Sequence, residues 1–168
     1  TASLAVQYAQ MLVKALEPAK EELELANEKD EYRGDTRDQL AKAIATYTNP
    51  PFHTVAEYDA AFAEIDMLVK KSQTRRANID AYPSSLQAIA DGIENAKGTK
   101  YEKLDLFITL EEVYNQYKDV DYIAMDDEEL NKAVSLMGSN GTLLNNMVNT
   151  CVPLLTKQVT ELAAAIVA

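Results

Sequence analysis

Tryptophan is missing from this sequence, cysteine and histidine occur once each, and glycine and proline number only five each in 168 residues. Each shortage removes a class of chemistry. One cysteine excludes an intramolecular disulfide, and Cys151 falls on an apolar face with Met147, Val148, Leu154 and Leu155, where a free thiol behaves as a small buried hydrophobe. A catalytic thiol needs a base beside it. The only imidazole, His53, stands in a loop, and no nucleophile signature surrounds Cys151. One histidine also fails to supply the paired Glu-x-x-His motifs of a di-iron bundle, although Glu17, Glu21, Glu24 and Glu28 recur three or four residues apart.

Positive charge is short too. Sixteen basic residues face 27 acidic ones, for a net charge of −11, which disfavours nucleic acid or an anionic membrane face as partner. The basic clusters Lys70-Lys71 and Arg75-Arg76 read as solvated residues near a helix end. No apolar run is long enough to cross a bilayer, so direct membrane insertion is not expected, and no signal peptide is visible. A chain opening on Thr1-Ala2-Ser3 without Met reads as a mature domain excised from a longer protein.

What is present is helix-forming material: 47% hydrophobic residues rich in Ala and Leu, enough to bury a core, with no window that alternates as a hairpin would. Leu4, Tyr8, Met11, Ala15, Ala19, Leu23 and Ala26 predict a long first helix over about Ser3 to Lys29, bent at Pro18. After a turn at Gly34, Asp35 or Thr36 should cap a short helix with Leu40, Ile44 and Tyr47 inward. The prolines of "TNPPFH" stop it. Thr54 and Glu57 then form a capping box at the head of a third helix carrying Tyr58, Ala61, Phe62, Ile65, Leu68 and Val69, expected to end between Thr74 and Asn78.

Beyond "AYPSS" the spacing predicts helix from Ser84 to Lys97 closed by Gly98, then more opened by a Thr99–Glu102 box and carrying Tyr101, Leu104, Phe107, Ile108, Val113, Tyr114 and Tyr117, and Gly98 alone leaves open one interrupted rod or two helices at an angle. A short helix with Leu130, Val134 and Met137 inward should end at "GSNG". A final helix from about Thr142, bent at Pro153, carries Leu144, Met147, Val148, Cys151, Leu155, Val159, Leu162 and Ile166 inward.

Two short stretches echo each other 90 positions apart. In "TRDQLAKAI" and "DDEELNKAV", Leu40/Leu130, Lys42/Lys132 and Ala43/Ala133 are identical, and Ile44/Val134 is conservative. The order long, short, long therefore occurs twice. The expected fold is all-α: an antiparallel helical bundle of two three- or four-helix units in tandem, residues 1–77 and 78–168, joined near Asn78 to Ser85, with a single six- or seven-helix domain as the alternative.

The pattern within Met11 to Lys71, a long helix, then "YRGDTRDQLAKAIATY", then "HTVAEYDAAFAEIDMLVKK", resembles the FIVAR class of three-helix modules found in large bacterial surface and secreted proteins. The similarity covers the first half and reaches the second through "DDEELNKAV". Pro18 and the added segment Ile79 to Gly98 depart from it. The resemblance implies a non-enzymatic spacer, adhesive unit or accessory to a glycan-active enzyme, and it brings no catalytic residues.

Two clusters invite a site. The acidic group Asp119, Asp121, Asp126, Asp127, Glu128 and Glu129 lacks the central glycine of a calcium loop and fits helix capping better. Of nine tyrosines, Tyr47 and Tyr58 gather with Phe52 and His53 around one loop, and Tyr114, Tyr117 and Tyr122 near another. Tyr47, Phe52, His53 and Tyr58 are the candidate ligand-binding residues, their rings suited to a sugar face or a protein anchor. The competing role for Tyr47, Phe52 and Tyr58 is to close the end of the core. No catalytic residue, metal or cofactor is expected. The reading is a non-catalytic module of an extracellular or bacterial surface protein, with a glycan or host cell-surface protein and neighbouring domains as partners. The runner-up is a cytoplasmic adaptor that receives a partner helix in a groove.

Overall fold

The computed structural model describes residues 3–146 and 152–167, and every regular element among them is helical. The protein is an all-α helical bundle. It divides into two compact units, Thr1–Asp80 with Asp121–Asn131, and Ala81–Val120 with Lys132–Ala168.

In the first unit, α1 (Leu4–Glu28) is capped by Ser3, whose hydroxyl accepts the Val6 amide, and it runs unbroken through Pro18. It buries Leu12, Leu16, Ala19, Glu22 and Ala26. Leu4 and Met11, expected inward, are 59% and 52% exposed. The helix is apolar on two overlapping stripes, and turning Leu12 and Leu16 inward hides two leucines where the other choice would hide Met11 and Ala15. They join Leu40 and Ala43 of α2 (Asp35–Thr48) and Ala61, Ile65, Leu68 and Val69 of α3 (Val55–Ala96) in one core cluster.

Neither Asp35 nor Thr36 caps α2. The cap position is Gly34, with no side-chain hydrogen bond, and Thr36 is buried with its hydroxyl donating to Asp127 Oδ2. The Thr54–Glu57 box does form: Thr54 N–H donates to Glu57 Oε2 at 3.0 Å and Glu57 N–H to Thr54 Oγ1 at 3.3 Å.

The helix behind that box does not end at Asn78. α3 runs for 42 residues, so no linker separates Asn78 from Ser85. Pro83 lies inside the helix on an exposed face, while Ile79 and Tyr82 on either side are each 1% exposed. Burial of those two side chains outweighs the one backbone hydrogen bond that proline forfeits.

In the second unit, α3 ends where the sequence expects: Gly98 takes a φ of 73° and the Thr99 amide returns to the Ala96 carbonyl at 3.2 Å. Thr99 opens only a short 3-10 turn, Lys100–Lys103, and α4 (Asp105–Tyr117) begins later. The two segments are therefore separate helices. α4 buries Phe107, Leu110, Val113 and Tyr117, whereas Ile108 is 48% exposed. The Tyr82 hydroxyl donates to the Tyr117 carbonyl at 2.9 Å, with the rings edge to face.

The repeated short helix opens α5 (Asp127–Asn146), which runs through "GSNG", because glycine inside a helix costs only about 1 kcal/mol relative to alanine. Leu40 and Leu130 are each fully buried, and so nearly are Ala43 and Ala133. The repeat thus occupies equivalent inward positions. Pro153 falls in the first turn of α6 (Val152–Val167), where its missing donor has no partner to lose. Met147, Val148 and Cys151 lie outside the described residues. Val159, Leu162 and Ile166 of α6, expected inward, are 65%, 64% and 76% exposed. Ile89, Leu110 and Met137 of the same unit are fully buried without them.

Candidate functional site

The Pro-Pro loop brings three of the four candidate ring residues to one place. α2 tightens at its end, where Thr46 and Thr48 hydroxyls donate to the carbonyls four residues back at 2.9 and 2.6 Å. The chain reverses through Pro50 and Pro51, and Glu57 gathers the amides of His53 and Thr54, the first at 2.6 Å. Those backbone donors, His53 foremost, hold the Glu57 carboxyl below its ordinary pKa.

Pinned this way, Phe52, His53, Thr54, Val55 and Tyr58 form one wall of a cleft of about 390 Å³, and Leu4, Ala5 and Tyr8 of α1 form the other. The rings interlock. Phe52 meets Tyr58 edge to face at 5.1 Å, and Tyr8 lies 5.7 Å from Tyr58 and 6.3 Å from Phe62. Tyr58, 9% exposed, belongs to the core cluster, so closure of the core is its main role, while Phe52 packs there partly buried and His53 is exposed at the rim.

Tyr47 does not line the cleft. Its ring backs Phe52 at 5.7 Å and its hydroxyl donates to Glu64, and burial together with that bond pushes its pKa up to about 12. The sequence reading missed Tyr8, Leu4 and Val55. Tyr8 carried a signal, since it sits on the α1 stripe, but periodicity assigned it to the core.

The other candidates resolve into structure. Arg75, read as solvated, is 4% exposed: Nε donates to the Arg33 carbonyl at 3.0 Å, Nη2 to the Ile123 carbonyl at 2.9 Å, and Nη1 to the Met125 carbonyl at 2.9 Å and Asp127 Oδ1 at 2.8 Å. Arg76 forms a bidentate pair with Glu22, through Nε at 3.1 Å and Nη2 at 3.0 Å, and Ser72 donates to the same carboxylate at 3.1 Å. Glu22, 3% exposed, is therefore a neutralised structural carboxylate. In the acidic cluster, Asp126 and Glu129 cap one another's backbone amides and Asp127 pairs with Arg75. Among the described residues no group of three or more His, Cys, Asp or Glu is placed to hold a metal ion, and no helix is long and apolar enough to cross a membrane.

Tyr117 of the second tyrosine group is buried against Tyr82, and Lys118 Nζ lies 5.9 Å from the Tyr114 ring centre. Compared with models of protein families, with curated proteins and with solved structures, the chain matches none.

Proposed function

We propose that this chain is a non-catalytic helical module of a bacterial cell-surface or secreted protein, which spaces neighbouring domains and accepts a sugar ring in the cleft between α1 and the head of α3. The cleft carries this reading. Its walls are mostly aromatic and aliphatic, with the His53 imidazole and Thr54 hydroxyl at the edge, and a pyranose offers both a C–H face for ring stacking and hydroxyls for such rim groups. The spacing role draws on α3, whose 42 residues make a rod of about 63 Å. The likeness of Met11 to Lys71 to FIVAR modules points the same way, and so does the ion pairing of Glu22, which leaves that buried carboxylate unsuited to acid–base work.

Glycan-array screening followed by calorimetry tests the proposal. His53→Ala, at an exposed position, should weaken binding of the selected glycan several-fold, and Phe52→Ala should abolish it while the helical circular dichroism persists. Absence of any glycan ligand, or affinity untouched by both changes, refutes the sugar reading.

The adaptor reading, a surface that receives a partner helix, is favoured by one observation: the exposed apolar stripe of α6.

A further inference from the structure

Charge is one-sided around the cleft between α1 and the head of α3. Residues 3–13 and 49–63, which supply both of its walls, contain no Lys or Arg, and apart from the His53 imidazole their only ionisable acid or base groups outside the tyrosines are Glu57 and Asp59. Both carboxylates are exposed. The amides of His53 and Thr54 lower the Glu57 pKa, so that group is ionised at neutral pH.

The rings add to the same field. Tyr8 and Phe52 are inclined to Tyr58 by 53° and 79°, so the walls turn ring faces in more than one direction. An aromatic face is the negative side of the ring quadrupole and attracts an ammonium group within about 6 Å of its centre. Tyr58 contributes a second feature. It is nine-tenths buried and lines the cleft, yet its hydroxyl makes no hydrogen bond to another described residue. No buried polar side-chain atom among the described residues lacks a partner, so solvent reaches that hydroxyl. Its lone pairs can accept from a bound ammonium.

A sugar bearing a carboxylate or sulfate would meet no cationic Lys or Arg here, on a chain of net charge −11. An N-acetyl group would engage the apolar wall and the hydroxyl but not the field. We propose that the sugar accepted by the cleft is an amino sugar with a free, protonated amine. Its C–H face lies against the rings, and its ammonium is held by ring faces, the Tyr58 hydroxyl and the negative field of Glu57 and Asp59. The inference rests on the sugar reading of the cleft and names the class of sugar.

Calorimetry on the full chain at about pH 7, below the pKa of an ordinary primary amine, compares the glucosamine tetramer of chitosan with the N-acetylglucosamine tetramer of chitin. The glucosamine tetramer should bind about tenfold more tightly, the ratio that a partly desolvated cation–π contact supplies. Raising salt from about 0.05 M to about 0.5 M should narrow that ratio by screening. Glu57→Gln, whose amide oxygen keeps the capping box, should narrow it too. Tyr58→Phe should weaken the glucosamine tetramer several-fold with circular dichroism unchanged. Equal affinity for the two tetramers, or tighter binding of the acetylated one, overturns the amino-sugar assignment and leaves the sugar reading standing. A preference that neither salt nor Glu57→Gln reduces overturns it as well. Binding of neither tetramer, with no ligand on the glycan array, removes both readings.

Discussion

The Arg75 guanidinium sits where a side chain on residue 34 would be, and that coincidence can be measured. Gly34 has φ 156° and ψ 173°, a region that is nearly glycine's alone. A Cβ built there would lie 2.8 Å from Arg75 Nε and 3.1 Å from Cζ. The guanidinium cannot step aside freely, because four hydrogen bonds tether it to three backbone carbonyls and to Asp127. Gly34→Ala should therefore cost about 1–3 kcal/mol for the backbone conformation, and about 1–2 kcal/mol more for loosening charged hydrogen bonds. Arg75→Met, which keeps the apolar stem and orphans the acceptors, should cost about 3–5 kcal/mol.

The decisive quantity is the double variant. With the guanidinium gone the new methyl loses its three nearest neighbours, all of them guanidinium atoms, so the backbone cost dominates what remains. The pair should then cost about 1–2 kcal/mol less than the sum of the single changes. Urea unfolding gives all four values, read by far-ultraviolet circular dichroism and tyrosine emission, since the chain has no tryptophan. Costs that add to within about 0.5 kcal/mol would refute the claim that Gly34 is required by Arg75.

Pro83→Ala restores a donor for the Ile79 carbonyl within a continuous helix, which should raise stability by about 1–2 kcal/mol after loss of proline's stiffening of the unfolded chain; a lower urea midpoint would contradict continuity of α3 at that point. Tyr47 gives an alkaline signature: its folded pKa is raised to about 12 while the unfolded phenol titrates near the ordinary 10.0. Below the unfolded value both states hold the proton and the stabilisation is complete, and it is lost as pH climbs through the interval up to the folded value. Tyr47→Phe should flatten that limb of the stability curve relative to wild type, and identical limbs would show that the Tyr47–Glu64 contact does not persist in solution.

Local signals were legible where the chemistry is local. The Thr54–Glu57 box, the left-handed turn at Gly98 and the stripe from Tyr58 to Val69 need only neighbours three or four residues away, and each forms. The failures required knowledge of distant partners. Pro83 reads as a stop until Ile79 and Tyr82 are seen to be buried beside it. Arg75 and Arg76 read as solvent-facing until α1 and the 121–131 segment supply their acceptors. α1 presents two possible faces, and only the leucines of its neighbours choose between them. In the cleft, Phe52 and His53 were visible because a Pro-Pro loop concentrates them, but Tyr8 is more than forty positions away and no spacing rule connects it to that loop.

The duplicated short helix has a physical reading once its two starts are placed. Both begin against the same guanidinium: Arg33 and Gly34 lead into α2, Met125 and Asp127 into α5, and Thr36 of the first helix donates to Asp127 of the second. A buried cation at helix N-termini opposes both macrodipoles. The opposition is met locally, because first-turn acids stand at each start, Asp35 and Asp38 on α2 and Asp127, Glu128 and Glu129 on α5. At about 0.3–1 kcal/mol apiece these offset the dipole, and Asp127 adds a direct pair with Arg75. The acidic run that resembled an ion site is thus the counter-charge for an arginine the protein already holds. One side chain from α3 thus binds the chain at the starts of both α2 and α5, just ahead of the residues that the two stretches share.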